Sequence, residues 1–545
     1  MRRFSGSLQA FRRVFANRRV RSVQLAGMGS TLGTWAYGVA LPVYAFHAGG
    51  TRAVGLIFFA RFAFAAIAAP WLGLLADRWS RQRLMLSADL IRVALFAGMT
   101  AVASSGGSAY IVYVLAVSST IVSGSYGPAQ GALIPLLVDS PDELTAANVV
   151  GNTISSVGMF AGPGVGGVLL ALSGPSAVFA LTGALFAWSA VFVVQVPRDR
   201  PPAREARSPL LPELTAGLAA VLRRPALRVV VGLNTAQMVV DGALEVLIVV
   251  IALKLLHSGN AGVGWLNTAI GLGSVAGAVV VAALALKRRL AGGFALGILL
   301  SSIPLALAAM VSSLGPALVL MGALGVGSIL VQVNGITLVQ RSAENEVLGR
   351  VFAVLQTLML ASLALGAVAT PALVSWLGAH GALIAVGVFA PALLVPFWPL
   401  LRRVDAEAEP AFEPLELLRG IEFLAELPEP VLERLAGAAT PVTAAAGQPV
   451  VSRGDAGDHF YVIAEGRAIV ELEGSERELG PGGFFGEIAL LRDVPRTATV
   501  RAADALRFYA IARNDFLAAV TGHDPTLAAA ENVVTSRLPA GALAG

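Results

Sequence analysis

Hydrophobic residues fill this chain in long unbroken stretches, not at the spacing of a surface helix or a half-buried strand. Apolar runs lie near 24–46, 53–76, 83–104, 109–136, 148–171, 174–196, 228–255, 262–286, 293–312, 316–339, 349–376 and 381–400, twelve in all. Each is close to the roughly 20 residues that a helix needs to cross a bilayer. From 415 the pattern changes. A helical stretch near 415–437 leads into short alternating runs punctuated by Gly447, Gly454, Gly457, Gly466, Gly474 and Gly480, and helical patterns close the chain near 513–522 and 525–537. Strands framed by helices predict a small β-roll. The expected fold class is therefore multi-domain: an α-helical membrane protein of twelve transmembrane helices in two six-helix halves, followed by a β-roll domain flanked by helices.

The polar positions order these elements. Arginines gather in alternate loops: the N-terminal segment, Arg78 to Arg83, Arg198 to Arg228, Lys287 to Arg289, Arg341 with Arg350, and Arg402 with Arg403. The intervening turns, such as 104–108 and 258–260, carry almost no positive charge. The positive-inside rule then predicts a multi-pass protein of the inner (plasma) membrane with both termini and the tail in the cytoplasm. Residues 1–22 are basic, with Phe4, Leu8, Phe11 and Phe15 at helical spacing, which reads as a cytoplasmic amphipathic segment on the lipid surface or as a disordered basic tail. The proline- and arginine-rich stretch 197–227, with a helix expected near 210–223, separates an N-terminal half at 23–196 from a C-terminal half at 228–403. Acidic, proline-flanked residues 404–414 form a linker to a domain at 415–538. Gln130-Gly131-Ala132-Leu133 with the acidic loop Asp139–Glu143 parallels Asn334-Gly335-Ile336-Thr337 with Glu344–Glu346, and paired halves are a transporter signature.

Composition excludes several classes. The chain of 545 residues is 56% hydrophobic and 13% charged, half the charged share of a typical soluble protein, and its mean hydropathy is +0.75. There are no cysteines, which removes disulfides, thiolate metal sites and cysteine nucleophiles. Only Lys254 and Lys287 are lysines, and the net charge of +5 is too modest to point to nucleic acid. The first apolar run is too long for a cleavable signal peptide. No nucleophile–base or metal-ligand constellation appears, and His47, His257, His380, His459 and His523 are scattered. The expectation is a non-enzyme with no metal and no cofactor.

Charges inside the spans are expensive and mark function by default. Asp241 and Glu245 lie one turn apart on one face of the seventh span. Two neighbouring carboxylates suit a proton carrier; the alternative is a structural ion pair with Arg61 of the second span. Arg61 itself would either bind an anionic substrate or hold Asp241. Asp89 and Arg92 in the third span read as a gating or structural pair.

Between the second and third spans stands Gly73-Leu74-Leu75-Ala76-Asp77-Arg78-Trp79-Ser80-Arg81-Gln82-Arg83. It resembles the G-x-x-x-D-R-x-G-R-x-R cytoplasmic loop of the major facilitator superfamily, with Ser80 in place of the second glycine. The resemblance implies a gating loop of Gly73, Asp77, Arg78, Arg81 and Arg83, supported by Asp89 and Arg92. Gly151, Gly158, Gly162-Pro163 and Gly166-Gly167 match the fifth-helix motif of that superfamily's drug–proton antiporters, in which glycines allow close approach and proline bends the helix. Tyr126 to Pro135, with Asp142-Glu143-Leu144 and Ala147-Asn148, is similar to the exporter branch that includes enterobactin and macrolide efflux proteins. Two features depart from the pattern: the fourth span carries no arginine, and the second half keeps only Lys287, Arg288 and Arg289 of the loop motif.

In the tail, Gly486 leads Glu487, and Arg496 follows nine residues later. A buried guanidinium suits a cyclic phosphate and a carboxylate suits a ribose hydroxyl; the alternative is a Glu487–Arg496 salt bridge in a roll that binds nothing. With Gly454-Asp455-Ala456-Gly457-Asp458 and Phe460-Tyr461-Val462-Ile463, this segment resembles the cyclic nucleotide-binding domain family. The resemblance implies that Glu487 accepts the ribose 2′-OH, Arg496 pairs with the phosphate, the backbone at Gly486, Ile488 and Ala489 donates to the ligand, and Thr497 and Ala498 complete the cassette. The last helix would cap the base with Val533, Val534 or Arg537. The regulatory ligand expected is cAMP, with cGMP the alternative.

These features lead to a secondary active transporter, a proton-coupled exporter of a small molecule, modulated allosterically by cyclic nucleotide. The alternatives are a nucleotide-binding membrane receptor with little transport, or an importer. The expected partners are the bilayer, the nucleotide and an unspecified small substrate; a homodimer through the tail is left open.

Overall fold

The computed structural model describes residues 16–138, 141–199, 210–284, 290–343, 345–407, 412–425, 427–472, 475–522 and 524–537. Residues 1–15 of the N-terminal segment, Lys287 to Arg289, Gly474 and 408–411 of the linker lie outside this set, as do the side chains of Asp77, Arg78 and Arg537. The chain divides into two compact units, Met1–Asp405 and Ala406–Gly545.

The first unit is helical throughout its described residues: α1 (Arg18–Arg78), α2 (Arg81–Ser104), α3 (Ala109–Ser123), α4 (Tyr126–Leu133), α5 (Pro141–Val194), α6 (Leu210–Arg223), α7 (Pro225–Val250), α8 (Gly259–Leu284), α9 (Leu290–Leu307), α10 (Leu314–Ser342) and α11 (Asn345–Glu407). Eight helical stretches are long and apolar enough to cross a membrane. Three of them, α1, α5 and α11, turn back at Gly50 (φ +62°), Gly174 (φ +76°) and Gly378 (φ +71°), conformations that favour glycine. Each therefore supplies two crossings. With α7, which continues through a π-helical turn to Leu255, the described residues make twelve. The expected continuous span at 109–136 is instead broken: Gly124 ends α3, and α4 runs into a 3-10 turn at Ile134–Leu136. Gly127, Pro128 and Pro135 account for the interruption.

Backbones meet where side chains are absent. A Cβ on Gly158 would stand 2.5 Å from Thr31 Cγ2, and one on Gly162 2.5 Å from Trp35 Cβ, so α5 lies directly on the first leg of α1. Its other face meets α8: a Cβ on Gly264 would sit 2.4 Å from Gly167 Cα and 3.0 Å from Pro163 O. Gly55, at the start of the second leg of α1, is similarly closed against Pro371 and Ala367 of α11. These two seams join the halves near the end of the bundle that carries the glycine turns. There, His47 Nε2 donates to Asn260 Oδ1 at 3.0 Å, and Lys254 Nζ lies 5.6 Å from the Phe46 ring centroid.

The second unit begins with α12 (Phe412–Arg419) and α13 (Glu429–Gly437). The sequence suggested one helix over 415–437. Gly420, Pro428 and Pro430 divide it, and the connection buries Ile421, Phe423 and Leu424. Eight strands follow: β1 (Thr440–Ala444), β2 (Pro449–Val451), β3 (His459–Glu465), β4 (Ala468–Leu472), β5 (Ser475–Leu479), β6 (Phe484–Phe485), β7 (Thr499–Ala502) and β8 (Leu506–Ala512), with α14 (Glu487–Arg492) between β6 and β7, and α15 (Arg513–Thr521) and α16 (Asp524–Arg537) at the end. They form two antiparallel four-stranded sheets, ordered β1-β8-β3-β6 and β2-β7-β4-β5. β3 is the shared wall. Its alternation sends Phe460 and Val462 into a helical core with Phe423 and Phe516, and Tyr461 and Ile463 into the core between the sheets with Phe485 and Phe508.

One polar clasp ties α12 to the roll. Arg507 of β8 donates from both terminal nitrogens to the Glu413 carboxylate, with Nη1 at 2.6 Å from Oε2, and Tyr509 Oη donates to the same Oε2 at 2.6 Å. These hydrogen bonds, led by Arg507, hold the Glu413 carboxyl below its ordinary value of 4.5.

Two expectations follow. Because the chain has no cysteine, the pair His47→Cys and Asn260→Cys should form a disulfide on mild oxidation. Overpacking a closed contact costs about 1–3 kcal/mol, so Gly264→Val should slow that cross-link by roughly 5-fold or more; an unchanged rate would contradict the seam. A carboxylate with a depressed folded pKa stabilises above its unfolded value and loses that contribution as pH falls through the folded one. Glu413→Gln should thus speed hydrogen exchange in α12 and β8 at pH 7, and the difference from wild type should close as pH drops below 4.5.

Candidate functional site

The segment from β6 to β7 builds a compact site around a buried guanidinium. Gly486 ends β6 at φ +93° and opens α14. No other residue fits there. A Cβ would lie 2.6 Å from Arg496 Nη1 and 2.9 Å from His459 O, besides the unfavourable φ. Glu487, the first residue of α14, is 2% exposed. The Arg496 side chain is 3% exposed. Its Nη1 donates to Gly486 O at 3.1 Å and its Nη2 to His459 O at 2.8 Å. Nη2 also reaches Asp458 Oδ1 at 3.1 Å. Nε is buried with no hydrogen-bond partner among the described residues. The backbone is pinned as well, since Arg496 N donates to Asp455 O at 2.8 Å and Arg496 O accepts from Gly454 N at 2.9 Å.

The chemistry of this cluster suits an anion. A guanidinium almost out of water calls for negative partners, and Arg496 forms an ion pair with Asp458, whose side chain is 64% exposed. Burial raises the Asp458 carboxyl, but the hydrogen bond and charge of His459 and the Arg496 guanidinium outweigh it, leaving Asp458 below its ordinary range. In the sequence Asp458 stands out only as part of a glycine-rich turn. The signal that could have marked it is its place immediately before β3, whose first carbonyl Arg496 also binds.

The other cassette positions lie close by. Ile488 and Ala489 are in α14, with Ala489 buried, Ala498 is half-buried and Thr497 is exposed. In α16, Val534 is fully buried, and Val533 packs in the helical core with Leu490 and Leu491 of α14. Both valines thus belong to the packing of the helices in this conformation.

In the membrane unit, Asp89 and Arg92 of α2 form a sealed pair, N to O 2.5 Å. Ser189 Oγ donates to Asp89 Oδ2 at 2.6 Å, Arg92 Nη1 donates to Ser30 Oγ at 3.2 Å, and the guanidinium lies over the rings of Phe186 and Tyr126. The pair therefore ties α1, α2, α4 and α5 together. Arg81, at the start of α2, is organised by a residue the sequence did not single out. Asp199 accepts from the backbone of Arg81 (3.0 Å) and Gln82 (3.1 Å) and pairs with Arg81 Nη1 at 3.3 Å. It supplies the N-terminal cap that Ser80 does not provide. Arg83 is exposed. Of the fifth-span glycines, Gly158, Gly162, Gly166 and Gly167 make close approaches, whereas Gly151 meets only Gln24 at ordinary distance.

Asp241 and Glu245 share a face of α7. Gln237 Nε2 donates to Asp241 Oδ1 at 3.1 Å, and Gln237 Oε1 accepts from Ser302 Oγ at 3.2 Å. Arg61 acts electrostatically on Glu245, and no Arg61–Asp241 ion pair occurs among the described residues. Arg61 Nε donates to Thr120 Oγ1 at 2.8 Å, and its guanidinium lies 5.2 Å from the centroids of both Tyr37 and Phe58.

Comparison with known proteins agrees with both units. Residues 24–359 and 233–454 match the Major Facilitator Superfamily, and residues 441–523 match the Cyclic nucleotide-binding domain. The chain is 35% identical over 102 residues to the cAMP-dependent protein kinase regulatory subunit of Yarrowia lipolytica, covering 18% of this chain and 27% of that protein. It is 37% identical over 103 residues to the subunit of the same name in Eremothecium gossypii, covering 18% and 22%. It thus spans only about a quarter of the length of these relatives. A solved POT family transporter in complex with 5-aminolevulinic acid superimposes with a TM-score of 0.59 at 13% identity, over 71% of this chain and 97% of that one, which establishes a shared fold. The chain belongs to the Major Facilitator Superfamily and carries a C-terminal cyclic nucleotide-binding domain.

Proposed function

We propose that this multi-pass membrane protein is a proton-coupled secondary exporter of a small molecule, set by cyclic nucleotide bound to its tail, with cAMP preferred over cGMP. The observation that carries the regulatory part is Arg496: a guanidinium 3% exposed, with its Nε unpartnered among the described residues. A cyclic phosphate would satisfy that cation in place of Asp458, whose exposed side chain is free to leave for water. Glu487 would accept the ribose 2′-OH. The backbone of Gly486, Ile488 and Ala489 would donate to the ligand, and Thr497 and Ala498 would line it. The preference for cAMP draws on the two cAMP-dependent kinase regulatory subunits to which the tail is similar.

The lid in this reading is α16, with Val533, Val534 and Arg537. Val533 packs against the helical core to which Leu490 of α14 belongs, so a ligand seated on Glu487 would reset that packing. Couplings of about 1–3 kcal/mol are typical of allosteric proteins and suffice to bias two transporter states. The loop of Gly73, Asp77, Arg78, Arg81 and Arg83 would latch those states, with Asp89–Arg92 as its fixed support. Asp241 and Glu245 would carry the proton. Export is favoured by the glycine motif of the fifth span, whose close contacts build the seam between α5 and α8. Positive-inside charge favours a cytoplasmic tail, on the side where a nucleotide messenger would be met.

Isothermal titration of the full chain in nanodiscs tests the nucleotide site. Wild type should bind cAMP more tightly than cGMP. Removing one partner of a buried charge-assisted contact costs about 2–5 kcal/mol, so Arg496→Ala should weaken cAMP by roughly 30-fold or more. Equal affinity in wild type and Arg496→Ala, or no binding to wild type, would overturn the reading.

A further inference from the structure

Arg61 and Glu245 are two ionisable groups of the spans whose hydrogen-bonding capacity is left largely unused among the described residues. Asp89 and Arg92 neutralise each other, and Asp241 is bonded to Gln237. Arg61 uses only Nε, on Thr120, and neither Nη1 nor Nη2 has a hydrogen-bond partner among the described residues. Glu245 likewise makes no hydrogen bond to a described residue, although Arg61 and Asp241 both act on it electrostatically. The two side chains are half-buried, and they belong to opposite halves, one on α1 and one on α7.

The cation is aimed as well as open. Thr120 and the flanking rings of Tyr37 and Phe58 fix the guanidinium plane, leaving its two-pronged edge free, the edge that matches a carboxylate. Beside it, Tyr37 is 4% exposed and its hydroxyl has no hydrogen-bond partner among the described residues. That hydroxyl is a second donor for an anionic group. Phe62 stacks on Phe58 at 5.9 Å and extends the apolar wall.

Charges in the membrane interior need partners. A lone organic cation would satisfy Glu245 and leave Arg61 bare; a lone anion would do the reverse. A zwitterion answers both without adding net charge. We propose that Arg61 and Glu245 are the two ends of a binding site for a small zwitterion with an apolar or aromatic body, its carboxylate on Arg61 and Tyr37 and its ammonium on Glu245. The proposal rests on the transporter reading and names its substrate class.

The test uses the full chain in nanodiscs and radiolabelled phenylalanine as the probe. Unlabelled phenylalanine or 6-aminohexanoate, which together sample two charge separations, should displace it. Phenethylamine and 3-phenylpropanoate each lack one charge and should compete about 30-fold less well, the loss expected when a desolvated charge has no partner. This series needs no variant, so misfolding cannot mask it. Arg61→Gln should then erase the advantage of phenylalanine over phenethylamine, and Glu245→Gln its advantage over 3-phenylpropanoate. Failure of both zwitterions to bind, or equal competition by either single-charge analogue, overturns the site. The transporter reading fails separately: phenylalanine that binds but never crosses proteoliposomes under a pH gradient leaves the site and removes transport, whereas passage of phenethylamine alone does the opposite.

Discussion

Charge taken out of water must find a partner, and this constraint shapes both units of the chain. An uncompensated buried ion costs several kcal/mol even after the surroundings relax. The membrane unit meets the demand at Asp89–Arg92 by sealing the pair among Ser30, Ser189, Tyr126 and Phe186. The result is inert: every strong group there is occupied. The tail meets it differently. Arg496 is as buried as Arg92, but one of its partners is the exposed Asp458 and its Nε has none among the described residues. Sealed charges hold helices together. Incompletely satisfied charges retain capacity for a further partner.

Glycine plays the complementary role. Where the halves meet, at Gly167 against Gly264 and Gly55 against Pro371, there is no side chain on at least one partner. Such contacts are held largely by dispersion, which is short-ranged and loses about a quarter to a half of its strength over a gap of roughly 0.5–1 Å. A seam of this kind closes firmly and parts without breaking charged bonds, as alternating access demands. The polar groups near it, His47 and Lys254, contact the neutral side chains of Asn260 and Phe46.

Most of the architecture was legible in the sequence because hydrophobic length is a strong signal in lipid. The tight turns inside α1, α5 and α11 were read as boundaries between spans, and the positive φ of Gly50, Gly174 and Gly378 gives those boundaries their reason. The β-roll was legible from alternation and turn glycines. Long-range partners were not. Asp199 caps α2 from 118 positions away, and Asp458 reaches Arg496 across 38; no local pattern encodes either. Helix continuity at 415–437 was misjudged because Gly420 and Pro428 were outweighed by the apolar run around them. Which carboxylate Arg61 acts on was also beyond reach, since that depends on how α1 and α7 are rotated.

The central claim is that occupancy of Arg496 alters the membrane unit. The direct measurement is the rate of disulfide formation between cysteines at positions 47 and 260, with and without saturating cAMP, in full-length protein in nanodiscs. The account predicts a rate that changes with half-saturation at the cAMP affinity, and no change when Arg496→Ala is added. A rate that ignores cAMP in a protein that binds it would contradict the account.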